Sequence, residues 1–256
     1  MATIEVLLDG MAAGSDQGRM GIATIVLIKG QNNILVDVGH FGRRENLERA
    51  LKRHDLTPQD IQMVVLSHSH WDHAQNMDLF PEAQFYIHPA ELEYARAPRS
   101  GDWATPRYFV STLQGLHISE AVEGTELEPG VSISETPGHT RGHISVVVET
   151  AEGTAVIAGD AVPDAATISR GRPHLIFWSE REAEASVRKI KEAAHIIYPG
   201  HDRWFRIKVD GTIEYLGGAT SLRIMGGYER GDAGVAVTIE TETIRQNWVH
   251  PEAQGR

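Results

Sequence analysis

The chain contains no cysteine. That absence excludes disulfides, thiolate metal ligands and a cysteine nucleophile together. Positive charge is also scarce: 24 Lys and Arg stand against 35 Asp and Glu, a formal net charge of -11. Binding along a phosphate backbone needs a basic face, so this balance weighs against nucleic acid, although an acidic protein can still carry a local basic groove. No apolar run exceeds the length of a strand, so no segment is fit to span a membrane. The N-terminus lacks the positive stretch and apolar core of a secretory signal. A cytoplasmic location is therefore the expectation. Repeats, low-complexity tracts and linkers rich in Pro, Gly or Ser are missing as well.

What remains is an ordinary globular composition. The 256 residues are 41% hydrophobic and 23% charged, which suits one large domain over 1–256 with a sizeable core. Short runs rich in Val and Ile read as buried strands: IEVLL, IATIVLI, NILVDV, MVVL, QFYI, ISVVV, TAVIAG and HIIYPG. Helical patterns lie between them. Residues 43–54 place Leu47, Ala50 and Leu51 on one stripe. Residues 179–194 start at a Ser179 cap with Glu182 three positions on, a capping-box pattern. Pro89 opens a helix over 89–97. Asp210-Gly211 centres a hairpin over 208–216, and 235–249 suggests a second strand pair. Segments 96–112 and 162–177 lack periodicity and read as long loops, which are often functional. Mixed strands and helices in one domain give the α/β class.

The informative stretch is LSHSHWDHAQN, residues 66–76, with three histidines and one aspartate between His68 and His73. It follows a strand expected over 61–66. Extended side chains alternate faces, so His68 and His70 point the same way just past the strand's end. Asp72 and His73 follow in a turn, before a helix expected to begin near Ala74. Such a cluster can grip two adjacent metal ions; the bland alternative is a histidine-rich surface loop or core histidines satisfied by hydrogen bonds.

HSHWDH matches the His-x-His-x-Asp-His motif of the metallo-β-lactamase superfamily. Four further segments resemble that family's motifs in the right order: LVDVG with Asp37, TPGHT with His139, AGD with Asp160 and PGHD with His201. The resemblance covers residues 4 to about 209. It implies an αββα sandwich, two mixed β-sheets flanked by helices, with a metal site at one edge. Carried over, His68, His70 and His139 would hold one metal, and Asp72, His73 and His201 a second. Asp160 would bridge them. Asp37 would stand behind the ligands and orient their loops. Imidazoles with few carboxylates suit zinc first, with iron or manganese possible. A hydroxide held between two metals would attack, with Asp72 orienting it, and no serine elbow is present to compete.

The expected activity is hydrolysis of a small ester or lactone, since single-domain lactonases of the family resemble this chain in length and ligand set. The alternatives are a phosphodiesterase or ribonuclease, a thioesterase, a β-lactamase-like amide hydrolase, and last a non-catalytic metal-binding protein. One departure stands out. Those lactonases often carry a Tyr shortly after the bridging Asp, whereas this chain reads GDAVPDA. Tyr108 or a residue of the 162–178 loop is left to supply that donor. Trp71, Tyr108, Phe177 and Trp178 are the pocket candidates, with Phe41, Trp103, Trp204 and Phe205 nearby in sequence and open to plain core packing. His143 is expected to pack behind the site. His40, His54, His88, His117, His174, His195 and His250 carry no ligand pattern and read as structural or surface residues. The strands after 212 could extend a sheet or form the face of a homodimer.

Overall fold

Alternation along the buried strands sorts the apolar side chains into layers. In the Ile25–Lys29 strand, Val26 and Ile28 join one core cluster while Ile25 and Leu27 join another. In Gly153–Gly159, Ala155 and Ile157 face inward, and Val156 and Ala158 face out. A strand buried on both faces must be apolar at every position, which is why these runs read as continuous Val, Ile and Leu.

The protein is described here by a computed structural model covering residues 1–223 and 248–255. A mixed six-stranded sheet has the order Thr3–Leu8, Ile25–Lys29, Asn33–Val36, Met63–Val65, Gln84–Ile87, His117–Glu120. A mixed seven-stranded sheet runs Ile213–Tyr215, Phe205–Ile207, Ile196–Pro199, Gly153–Gly159, Ile144–Thr150, Val131–Glu135, Glu126–Glu128. Their facing sides share one core, with Val26, Ile28, Ile34, Val36 and Val65 against Val131, Ile133, Val146, Val148 and Ile157. The helix Arg44–Arg53 covers the outer side of the first sheet with Leu47, Ala50 and Leu51, and the helix Glu180–Ala193 covers the second with Val187 and Ile190. The result is the expected αββα sandwich. Each fully buried Leu, Ile or Val contributes roughly 1.5–3 kcal/mol.

Most boundaries follow local chemistry. The Ser179 hydroxyl accepts the Glu182 amide at 3.2 Å and starts the Glu180–Ala193 helix. The His88 ring caps Pro89–Arg96. Asp210 Oδ1 accepts the Thr212 amide at 2.9 Å and Gly211 takes φ 82°, closing the hairpin between Phe205–Ile207 and Ile213–Tyr215. The first of those strands starts before Lys208, earlier than its pattern suggests.

Three differences matter for the site. The helix expected from Ala74 is a single turn over Trp71–Ala74, so Asp72 and His73 lie on it rather than before it. The two aperiodic loops each carry a short helix, Phe109–Thr112 and Ala166–Arg170, too short for a 3.6-residue pattern to register. The strand pair expected at 235–249 lies outside the described residues except for Trp248–Val249, which pairs in parallel with Leu175–Ile176. Among the described residues, no helix is long and apolar enough to cross a membrane.

Candidate metal centre

Every expected ligand sits just past the C-terminal end of a strand, on the same edge of the sandwich. His68 and His70 follow Met63–Val65, His139 follows Val131–Glu135, Asp160 follows Gly153–Gly159, and His201 follows Ile196–Pro199. Asp72 and His73 come from the single helical turn after the first pair. Strand ends in an open α/β sheet are where functional side chains can converge without disrupting the ladders.

The donor atoms form two groups. Those of His68, His70, His139 and Asp160 lie within 4.8 Å of one another, as do those of Asp72, His73 and His201. Asp160 reaches both groups. Its Oδ2 is 3.5 Å from His139 Nε2, while its Oδ1 is 3.3 Å from His201 Nε2 and 3.5 Å from His73 Nε2. Gly200 makes that approach possible, because a Cβ there would collide with Asp160 Oδ1.

Behind the donors, the opposite ring nitrogens are tied down. His73 Nδ1 donates to Asp37 Oδ2 at 2.7 Å, His139 Nδ1 to the Leu175 carbonyl at 2.8 Å, and His201 Nδ1 to the Ile22 carbonyl at 2.9 Å. His68 Nδ1 donates to Ser67 Oγ at 2.9 Å, which donates to Asp37 Oδ2 at 2.8 Å. These bonds fix the tautomers and aim the free Nε2 atoms inward. His70 is turned the other way. Its Nδ1 faces His139 Nε2 at 3.1 Å, and its Nε2 faces Asp102 Oδ2 at 3.6 Å.

The chemistry of this cluster suits metal ions. His68 Nε2 and Asp160 Oδ1 are buried without a hydrogen-bond partner, a costly condition that a metal bond relieves. Burial drives His68 and His143 well below the usual imidazole range and His139 down to about 4, so these rings are neutral, as a metal ligand requires. Burial opposes charge on His73 too, but Asp160, Asp37 and Asp72 together raise it to about 10. Burial also disfavours the Asp160 carboxylate, yet His201 and His73 hold it well below the usual carboxylate range.

Above the donors opens a cavity of about 400 Å³. His70, Asp72, His139, Asp160 and His201 form its floor, and Trp71, Trp103 and Phe177 its apolar walls. The small hairpin of Gly14–Ser15 and Gly18–Arg19 covers one side, with the Arg19 guanidinium 4.7 Å above the Trp103 ring. Gly21, at φ 58°, packs on Trp71 where any Cβ would strike the ring.

The superfamily model for metallo-beta-lactamases matches residues 18–201. The chain belongs to the metallo-beta-lactamase superfamily. It is 29% identical to metallo-beta-lactamase domain-containing protein 1 of Xenopus laevis, over 82% of this chain and 84% of that protein. It is 29% identical to an N-acyl homoserine lactonase of a Bacillus species, over 62% of each chain. Among solved structures, an N-acyl homoserine lactone hydrolase with N-hexanoyl-L-homoserine at its catalytic metal centre shares the fold, with a TM-score of 0.64, 21% identity and coverage of 78% of this chain and 92% of that one.

Within this superfamily member, two pocket expectations need correction. Tyr108 does not line the cavity; it is exposed beside it, where its hydroxyl accepts Gln75 Nε2 at 3.1 Å. Trp178 turns away, packed between the Arg99 guanidinium at 4.2 Å and the Tyr94 ring. In each case a neighbouring cation or amide holds a ring that sequence alone placed inward. Phe41 is exposed and Phe205 is buried in the core behind the second sheet, so neither lines the cavity.

Three positions escaped the sequence reading. Glu91, fully buried, accepts Ser69 N at 2.9 Å, Ser69 Oγ at 2.6 Å and Gly142 N at 2.8 Å, clamping the His68–His70 loop to the His139 loop. Asp102 stands behind His70 and accepts the Tyr94 hydroxyl at 2.7 Å and the Ala104 and Thr105 amides at 2.9 Å. His174 lines the cavity. Asp-x-x-Thr-Pro at 102–106 is a turn signal that could have marked Asp102; nothing local marks Glu91. His143 accepts the Asp160 amide on Nε2 at 3.0 Å, which sets the backbone of the shared carboxylate.

Proposed function

We propose that the protein is a binuclear metal-dependent hydrolase of a small ester or lactone. The single observation that carries this is Asp160, whose two oxygens each face a different histidine group at 3.3–3.5 Å. His68, His70 and His139 would hold one ion, Asp72, His73 and His201 the other, and Asp160 both. Five imidazoles and two carboxylates favour zinc, with iron or manganese as substitutes. Bound there, the ions would supply Lewis acidity and lower the pKa of water to about 7, so that hydroxide is available at neutral pH.

The chain's own residues account for the rest. Asp72 lines the cavity with Oδ2 3.5 Å from His201 Nε2, placed to orient the attacking water and take its proton. Asp37 and Ser67 hold two rings in one tautomer. Trp71, Trp103 and Phe177 exclude water and suit an apolar acyl group. Arg19 is the one Lys or Arg among the described residues lining the cavity, which leaves little to hold a phosphate chain. This supports an ester or lactone over a phosphodiester. The lactonase among its relatives supports the same choice.

The test is a panel of substrates with and without chelator: an acyl-homoserine lactone, aryl esters, a glutathione thioester, a cephalosporin, a bis-aryl phosphodiester and short RNA. Chelator-sensitive turnover of the lactone or the esters is expected. Turnover of the phosphodiester and RNA alone would overturn the substrate assignment.

A further inference from the structure

We infer that His174, backed by Asp164, is the proton donor to the leaving-group oxygen. The proposal rests on the hydrolase assignment above and adds a catalytic group to it.

His174 is buried, yet its side chain lines the same cavity as Asp72, His139 and Asp160. Its Nδ1 is 3.5 Å from Asp164 Oδ2. Asp164 is fully buried and well fixed: its Oδ1 accepts the Thr167 amide at 2.9 Å and the Thr167 hydroxyl at 3.1 Å, with Arg170 Nη2 3.8 Å away. The backbone beside His174 is equally set. Its carbonyl accepts the Trp248 amide at 2.7 Å, and the next carbonyl, Leu175, holds His139 Nδ1 at 2.8 Å. The backbone that carries the ring is thus tied to His139 through the next residue.

A carboxylate behind one ring nitrogen orients the imidazole, leaving Nε2–H free to be given away. Nothing else among the cavity's described residues combines a titratable donor with a buried carboxylate behind it and no part in the two donor groups. Tyr108, the other candidate donor, does not reach the cavity. Asp160 is followed by Ala161, Val162 and Pro163, which donate nothing from their side chains.

The step balances as follows. The water oxygen bonds to the acyl carbon, and its proton passes to Asp72. The bond between the acyl carbon and the leaving oxygen breaks, its electron pair stays on that oxygen, and the oxygen takes the Nε2 proton of His174. The proton on Asp72 leaves to solvent, and His174 regains one from solvent.

The experiment compares wild type, His174→Gln and Asp164→Asn across esters of one acid, from p-nitrophenyl to alkyl leaving groups, at full metal loading. A proton donor matters most where the leaving group is poor. His174→Gln is expected to lose about 10²–10⁴-fold in kcat/KM on the alkyl ester and under about tenfold on the p-nitrophenyl ester. Asp164→Asn should steepen the leaving-group dependence in the same direction. Metal content and melting temperature of the variants should match wild type, which separates chemistry from misfolding. Equal loss across the series, or none, would overturn the proposal. A wild type inert to every ester but active on aryl phosphodiesters would refute the ester assignment alone, and the same leaving-group series run as phosphodiesters would then decide on His174. Inactivity on both series and on the acyl-homoserine lactone would overturn both proposals.

Discussion

The Asp37 carboxylate accepts His73 Nδ1 at 2.7 Å from a residue held at φ 61°, a left-handed conformation unusual for a side chain other than glycine. The same carboxylate takes the Ser67 amide and hydroxyl, each at 2.8 Å. Strain of about 1–3 kcal/mol at such a position persists where the surroundings fix it, and here three hydrogen bonds do. Asp37→Ala should therefore weaken metal affinity 10–100-fold while the fold survives. Competition with a calibrated chelator would show it. Unchanged affinity would mean that Asp37 serves only the turn.

Glu91 predicts a stability effect. Glu91→Ala leaves the Ser69 and Gly142 amides buried without acceptors, at a cost of about 1–3 kcal/mol each. Denaturant unfolding should show a loss of that order. Glu91→Gln retains an acceptor oxygen and should lose less.

The centre's legibility in the sequence was uneven, for physical reasons. Strands buried on both faces are apolar throughout, so the central ones were readable, whereas the polar edge strands His117–Glu120 and Glu126–Glu128 carry no such mark. The seven donors were readable because each lies within a few residues of a strand end in a short motif. The groups behind them were not. Glu91 meets Gly142 across 51 positions, and Asp102 meets His70 across a loop, contacts that only tertiary packing creates. Tyr108 and Trp178 misled because an aromatic in an aperiodic loop gives no sign of which way it turns.

Acid and base should each destabilise the metal-free protein, through different histidines. His139 titrates near 4 when folded and near 6.5 when exposed. Below pH 6.5 the unfolded chain takes a proton that the fold refuses, so stability falls as the pH drops from 6.5 toward 4; His68 and His143 act in the same sense. His73 is the reverse. Its folded value near 10 gives stability that is full below pH 6.5 and lost as pH rises toward 10. Urea unfolding of the chelated protein should peak near pH 6.5. A flat profile from pH 4.5 to 9 would contradict the described environments.

Asp160→Ala removes the carboxylate common to both groups. Elemental analysis should find both ions lost, because each group forfeits a donor. Loss of one ion alone would mean that Asp160 belongs to a single site.

The central claim is that two ions held by this cluster carry out ester or lactone hydrolysis. Its most direct test is metal-free protein titrated with zinc while an acyl-homoserine lactone and an aryl ester are assayed in parallel. The account predicts no turnover without metal and turnover of at least one of the two that rises to a plateau at about two equivalents. Hydrolysis that persists in the chelated protein, or full metal loading with neither substrate cleaved, would contradict it.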